Sequence, residues 1–154
     1  MTITTKSTIE DPVAGWRSRV DQVYGYLSGL YVIAMLAQVF LAGVGVFGDH
    51  AMKVANASSF DPHRALGSLL GFVAVGLFFI AVAARASRST FIGALILAIL
   101  VLAAQPALAS SGDSNKWVGG FHAFDGMIIL FLSLWLAWAA HRRQQARRRA
   151  HSSS

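Results

Sequence analysis

The chain has 154 residues, enough for one domain, and it is 55% hydrophobic and only 13% charged, with a mean hydropathy of +0.55. An ordinary soluble domain carries about 25% charged residues, and a soluble fold of this size could not hide so much apolar surface. There is no cysteine, which excludes disulfides, iron–sulfur clusters, thiol catalysis and covalent c-type haem attachment.

In chain order, residues 1–22 read as a polar leader with a short interfacial helix over Ala14–Val20. That leader is too polar for a cleavable signal, so the first apolar run, Val23–Phe47, should stay as an anchor. A membrane-spanning helix needs about 20 residues at about 1.5 Å rise each, which this run satisfies. The longest outer loop, about Gly48–Asp61, carries Asp49, His50, Lys53 and Asn56. Asp61 as N-cap and Pro62 at the first helical position then open the second span, Arg64–Ala84. The Arg85–Ser89 turn is short, so the second span and the third, Thr90–Ala109, should be antiparallel neighbours. Ser110–Lys116 is a polar outer loop, Val118–Ala140 the fourth span, and residues 141–154 a basic tail solvated near anionic lipid. Trp117 falls at the outer interface, and Tyr24, Tyr26, Trp135 and Trp138 near the inner one.

The expected fold is therefore all-α: a transmembrane four-helix bundle over residues 23–140, built from two hairpins. Charge sets its orientation. Of 13 Lys and Arg, ten flank one side (Lys6, Arg17, Arg19, Arg85, Arg88, Arg142, Arg143, Arg147, Arg148 and Arg149) and three the other (Lys53, Arg64 and Lys116). The positive-inside rule then puts both termini in the cytoplasm of a multi-pass plasma-membrane protein. The net charge of +6 is a topology signal, the partner is the lipid bilayer, and no nucleic acid is expected.

The hairpins read as a parallel internal repeat. Ala37-Gln38-Val39-Phe40-Leu41-Ala42 and Ala104-Gln105-Pro106-Ala107-Leu108-Ala109 share Ala-Gln-x-x-Leu-Ala. Each is followed by a loop and then by His-x-x-x-Gly, as His63–Gly67 and as His122–Gly126. Both halves have the same membrane orientation, which relates them by an axis along the membrane normal. Polar residues within the spans (Gln38, His63, Arg64, Gln105, His122 and Asp125) gather in the outer half. Such groups face the bundle interior and either mark a site or hold helices together by hydrogen bonds.

In His-x-x-x-Gly, positions i and i+4 share one helix face, so Gly67 and Gly126 leave room for a flat ligand edge or for a close helix. Two imidazoles facing across a bundle can ligate one iron axially, which makes His63 and His122 candidate ligands of haem b. Arg64 and Lys116 are placed to meet propionates, and Trp117, Phe121 and Phe124 to pack on the porphyrin. A fourth helix starting at Trp117 sets His122 about 7 Å deeper than His63; Gly119-Gly120 removes the mismatch if it delays that start. Zinc or copper on His50, His63 and His122 with Asp49, Asp61 or Asp125 is a second option, and a proton path through Asp125 and His122 a third. No catalytic motif is present. Two readings stand: haem binding for electron transfer or haem handling, with a membrane redox partner or a homo-oligomer, and an accessory protein whose polar cluster only fixes helix packing.

Two resemblances add to this. Phe60-Asp61-Pro62-His63-Arg64-Ala65-Leu66-Gly67 and Trp117…His122 resemble an uncharacterised family of small four-span actinobacterial membrane proteins, which implies topology without activity. The layout is also similar to one half of haem A synthase and, more loosely, to four-helix b-type cytochromes. That similarity implies haem ligation at His63 and His122, with His63-Arg64 matching the His-Arg pairs of the synthase. The chain has no Glu after Glu10 and so lacks the synthase's Glu-x-x-x-His on the first span; the resemblance extends to haem binding and not to catalysis.

Overall fold

A computed structural model describes residues 12–48, 58–112 and 114–152 of the chain. Those residues form helices α1 (Pro12–Gly48), α2 (Asp61–Ala83), α3 (Arg88–Ile99), α4 (Gln105–Gly112) and α5 (Lys116–Ser152). A π-helical turn, Leu100–Ala104, joins α3 to α4, so that Arg88–Gly112 is one span. Four helices are long and apolar enough to cross a membrane. They cover the four expected spans except Ala84, which is the C-cap of α2, and no strand occurs among the described residues.

The apolar residues divide by face. Tyr31, Leu70, Ala74, Leu77, Ala94, Leu97, Ile129 and Leu136 fill the centre, while Phe40, Phe72, Phe79 and Phe131 are more than 60% exposed. A bundle that displays so many aromatic rings on its outside is matched to lipid, because in water such patches drive association. The centre is packed with small alanines where helices approach, as suits helices that gain nothing by hiding one apolar surface from another. α1 packs on α2 and α5, and α3 packs on the same two helices. α2 and α5 make no close backbone approach, nor do α1 and α3, among the described residues. The ring order therefore places α2 diagonally opposite α5.

The short connection from α2 to α3 keeps them antiparallel neighbours, as the sequence predicts. It is a Schellman-type cap: Ala86 N–H donates to Ala81 O and Arg85 N–H to Val82 O, each at 3.0 Å. Arg85 takes the left-handed position, φ 48°, usually held by glycine. Ser87 caps α3 through Thr90 N–H. At the start of α2 the expected cap shifts by one residue. Phe60 is the N-cap, and Asp61 lies inside the helix, accepting from Ser58 N–H at 3.1 Å.

Helix extends past the expected spans at the start of α1 and at the end of α5: α1 is continuous from Pro12, and α5 continues to Ser152, 37 residues each. At about 1.5 Å per residue each spans roughly 55 Å, well beyond an apolar core of about 30 Å. The reason is electrostatic. Asp21, only 2% exposed, lies between Arg143 Nε at 3.5 Å and Arg147 Nε at 3.6 Å. Gln144 donates to Asp21 O at 3.1 Å, and Arg143 also donates to Thr90 Oγ1 at 2.8 Å. One carboxylate thus ties α1 to α5 and, through Arg143, to α3. Removing it leaves two arginines facing each other without a counter-charge. Asp21→Ala should therefore cost about 1–3 kcal/mol, discounted because Arg147 is half exposed. Thermal unfolding followed by helical circular dichroism in detergent measures it, and an unchanged midpoint would refute the role given to Asp21.

Candidate functional site

The two histidines meet. His63, the third residue of α2, and His122, the seventh of α5, come from diagonal helices, and their ring centroids lie 6.3 Å apart at 74°. The expected mismatch in depth is removed, but not by a delayed helix start: α5 begins at Lys116 and runs straight through Gly119-Gly120. Instead the second hairpin reaches about one turn further out than α2. α4 extends to Gly112, which packs on Gly119 so closely that a Cβ on Gly112 would sit 3.0 Å from the Gly119 Cα.

Each imidazole is held by the glutamine of its own hairpin in the same way. His63 Nδ1 lies 3.2 Å from Gln38 O, and Gln38 Nε2 donates to His63 O at 2.9 Å. His122 Nδ1 lies 3.2 Å from Gln105 O, and Gln105 Nε2 donates to His122 O at 3.1 Å. A carbonyl oxygen only accepts, so Nδ1 carries the proton in both rings and Nε2 keeps its lone pair. His63 Nε2 has a long 3.4 Å contact from the Gln38 amide; none of the described hydrogen bonds involves His122 Nε2. Gln105 Nε2 also donates to Asp125 Oδ2 at 2.9 Å, and Asp125 is 7% exposed. Gln38 Oε1 is buried without a partner.

The glycines of the two His-x-x-x-Gly motifs serve these glutamines. A Cβ on Gly67 would lie 3.0 Å from Gln38 Nε2, and one on Gly126 would lie 3.8 Å from Gln105 Nε2. The space one turn below each histidine is filled by an amide. Arg64 is exposed and pairs with Asp61 at 3.1 Å. Phe60 is the aromatic that touches His63, edge-on at 6.2 Å, whereas Trp117, Phe121 and Phe124 are more than 60% exposed. His50 and Asp49, candidates for a zinc or copper site, lie outside the described residues. Among the described residues no three His, Asp or Glu side chains gather as a metal would need.

Two features of the site escaped the sequence reading. The first is the reciprocal Gln–His bonding, since a motif shows spacing and not partners. The second is the π turn that aims Gln105. Pro106 has no N–H and its ring would crowd the carbonyl of Leu102, four residues back. The helix widens there, and Gln105 N–H bonds to Leu100 O, five residues back. That shift of register turns Gln105 toward α5, and Pro106 was the available signal.

The fold and the site thus define a four-helix integral membrane protein with a polar, histidine-paired end. The model of a family of unknown function, DUF6220, matches residues 38–112. That stretch runs from Gln38 through His63 and Gln105 and stops before His122. No curated protein and no solved structure matches the chain significantly.

The two glycine seats differ in room, which gives a paired test. Alanine gains about 1 kcal/mol over glycine inside a helix. At Gly126 the new methyl meets only ordinary contact, so Gly126→Ala should keep that gain. At Gly67 it presses on the Gln38 amide, so Gly67→Ala should be the less stable of the two by about 1 kcal/mol. Thermal unfolding of the two variants side by side measures the difference; the reverse order would refute the seating.

Proposed function

We propose that this is a non-catalytic membrane protein that holds haem b between α2 and α5, with Nε2 of His63 and of His122 as axial ligands. The observation that carries the reading is the pair of imidazoles at 6.3 Å, each oriented by an Nδ1–H bond to a backbone carbonyl. Metal-ligating histidines are held in this way, with the second nitrogen donating to a carbonyl or carboxylate. His63 and His122 would hold the group through Nε2, and their rings at 6.3 Å are near enough to share it. A tetrahedral ion needs three or four protein ligands and the pair offers two, whereas a porphyrin would supply most of the iron's ligands itself. Ligands from diagonal helices also suit a flat group set along the bundle axis. The similarity of layout to one half of haem A synthase and to b-type cytochromes supports the same assignment. Haem held by two histidines supplies one-electron redox chemistry at iron. The role that follows is electron transfer with a membrane redox partner, or haem handling, by a protein with both termini in the cytoplasm.

A second reading has its own observation. Both glycine seats are filled by amides, and the reciprocal bonds cross-link each hairpin. The repeated unit would then be a packing device in an accessory protein. Purification from haem-supplied cells separates the two. Haem binding predicts a Soret band at about one haem per chain, abolished by His63→Ala and by His122→Ala while helicity persists. A colourless protein with intact helicity would overturn it in favour of the packing reading.

A further inference from the structure

The arginine-rich end holds a second site, which does not depend on the histidines. Two cavities flank α5 where it runs beside α1. One, about 90 Å³, is lined by Ser18, Asp21, Gln22, Gln144, Arg147 and Arg148. The other, about 270 Å³, is lined by Tyr26, His141, Gln144, Gln145 and Arg148. Arg148 and Gln144 border both. Asp21 is the one acidic side chain lining either cavity, and Arg143 and Arg147 already neutralise it. Arg148 is in no ion pair among the described residues and is exposed. All the remaining lining groups are neutral or basic, with hydroxyl, amide and imidazole groups that can donate hydrogen bonds. The cavities therefore select an anion.

The surroundings say which kind. Tyr26 is 75% exposed, and Trp138, 52% exposed, lies under the Arg142 guanidinium at 4.9 Å. Such aromatic and arginine pairs mark the level of lipid headgroups. Three to seven residues further along each helix the same faces become apolar. Tyr26 is followed by Leu30 and Ile33 on α1, and His141 is preceded by Trp138 and Leu134 on α5, all exposed. A cavity whose lining favours an anion thus adjoins helix faces that turn apolar and exposed on both α1 and α5. A free anion uses the first and has no use for the second, whereas a phospholipid uses both.

We propose that the inner end of the α1–α5 seam is a specific site for one anionic phospholipid, its phosphate at Arg148 and its acyl chains along Leu30, Ile33 and Leu134. Basic pockets between membrane helices bind acidic headgroups in this manner, each arginine contributing about 1 kcal/mol, or about fivefold in affinity.

The test is native mass spectrometry of the detergent-solubilised chain with added phosphatidylglycerol or phosphatidylcholine. One phosphatidylglycerol should be retained per chain, in preference to phosphatidylcholine. Arg148→Gln should weaken retention about fivefold. Arg149→Gln, at a residue that lines neither cavity, should leave it unchanged. Helical circular dichroism of both variants shows that the bundle is intact. Equal loss in the two variants would mean a diffuse positive field and overturn the site. Equal retention of the two lipids, or displacement of phosphatidylglycerol by millimolar inorganic phosphate, would overturn it too.

Discussion

A polar group inside a bilayer must find its partner within the protein, because lipid offers none and each unsatisfied group costs several kcal/mol. The histidine end of this bundle is arranged around that constraint. Gln38 and Gln105 face inward from α1 and from the start of α4, and each spends its amide on the backbone carbonyl of a histidine in the facing helix. Each histidine returns a hydrogen bond to the glutamine's own carbonyl. The exchange fixes the height of α2 against α1 and of α5 against α4. It also sets the two rings side by side between the diagonal helices, with His63 Nε2 in long contact with the Gln38 amide and His122 Nε2 in none of the described hydrogen bonds. Packing and ligand geometry are the same set of bonds seen from two sides.

The two ends of the bundle solve different problems. At the histidine end the buried Asp125 is taken up by the neutral amide of Gln105, and the Asp61–Arg64 ion pair stays exposed. At the other end charge is held by charge: Asp21 sits buried between Arg143 and Arg147, and this lets α1 and α5 run on beyond the lipid as a paired extension. Between the ends the core is mostly alkyl and aromatic; Ser28 and Ser133 donate to carbonyls of their own helices, and the Tyr31 hydroxyl is buried without a partner among the described residues. The polar ends set register, and the apolar middle sets only how closely the helices approach.

Most of the fold was legible because bilayer thickness translates directly into runs of about 20 apolar residues. Arg85–Ser89 was legible as a tight antiparallel turn for the same reason that Pro62 was legible as a helix start: local geometry leaves few choices. His63 and His122 were legible as a pair because histidine is rare in lipid and both open inward-running helices. The partners were not. Gly67 and Gly126 read as space, but the sequence could not say that glutamine amides fill it, since that depends on which helices neighbour which. Asp21 was lost among the polar residues of a leader, because its partners lie more than 120 residues away. The π turn at Leu100–Ala104 was signalled only by Pro106, and its effect on the aim of Gln105 is a matter of three-dimensional register.

Both imidazoles carry their proton on Nδ1, where each faces a glutamine carbonyl, and keep the lone pair on Nε2. Solid-state ¹⁵N NMR of histidine-labelled protein in lipid, with His63→Gln and His122→Gln used for assignment, reads that tautomer directly. The account predicts a protonated Nδ1 and an unprotonated Nε2 at both residues in the ligand-free protein at neutral pH. Protonated Nε2 at either residue would contradict it, because that ring could then offer no lone pair to a shared ligand.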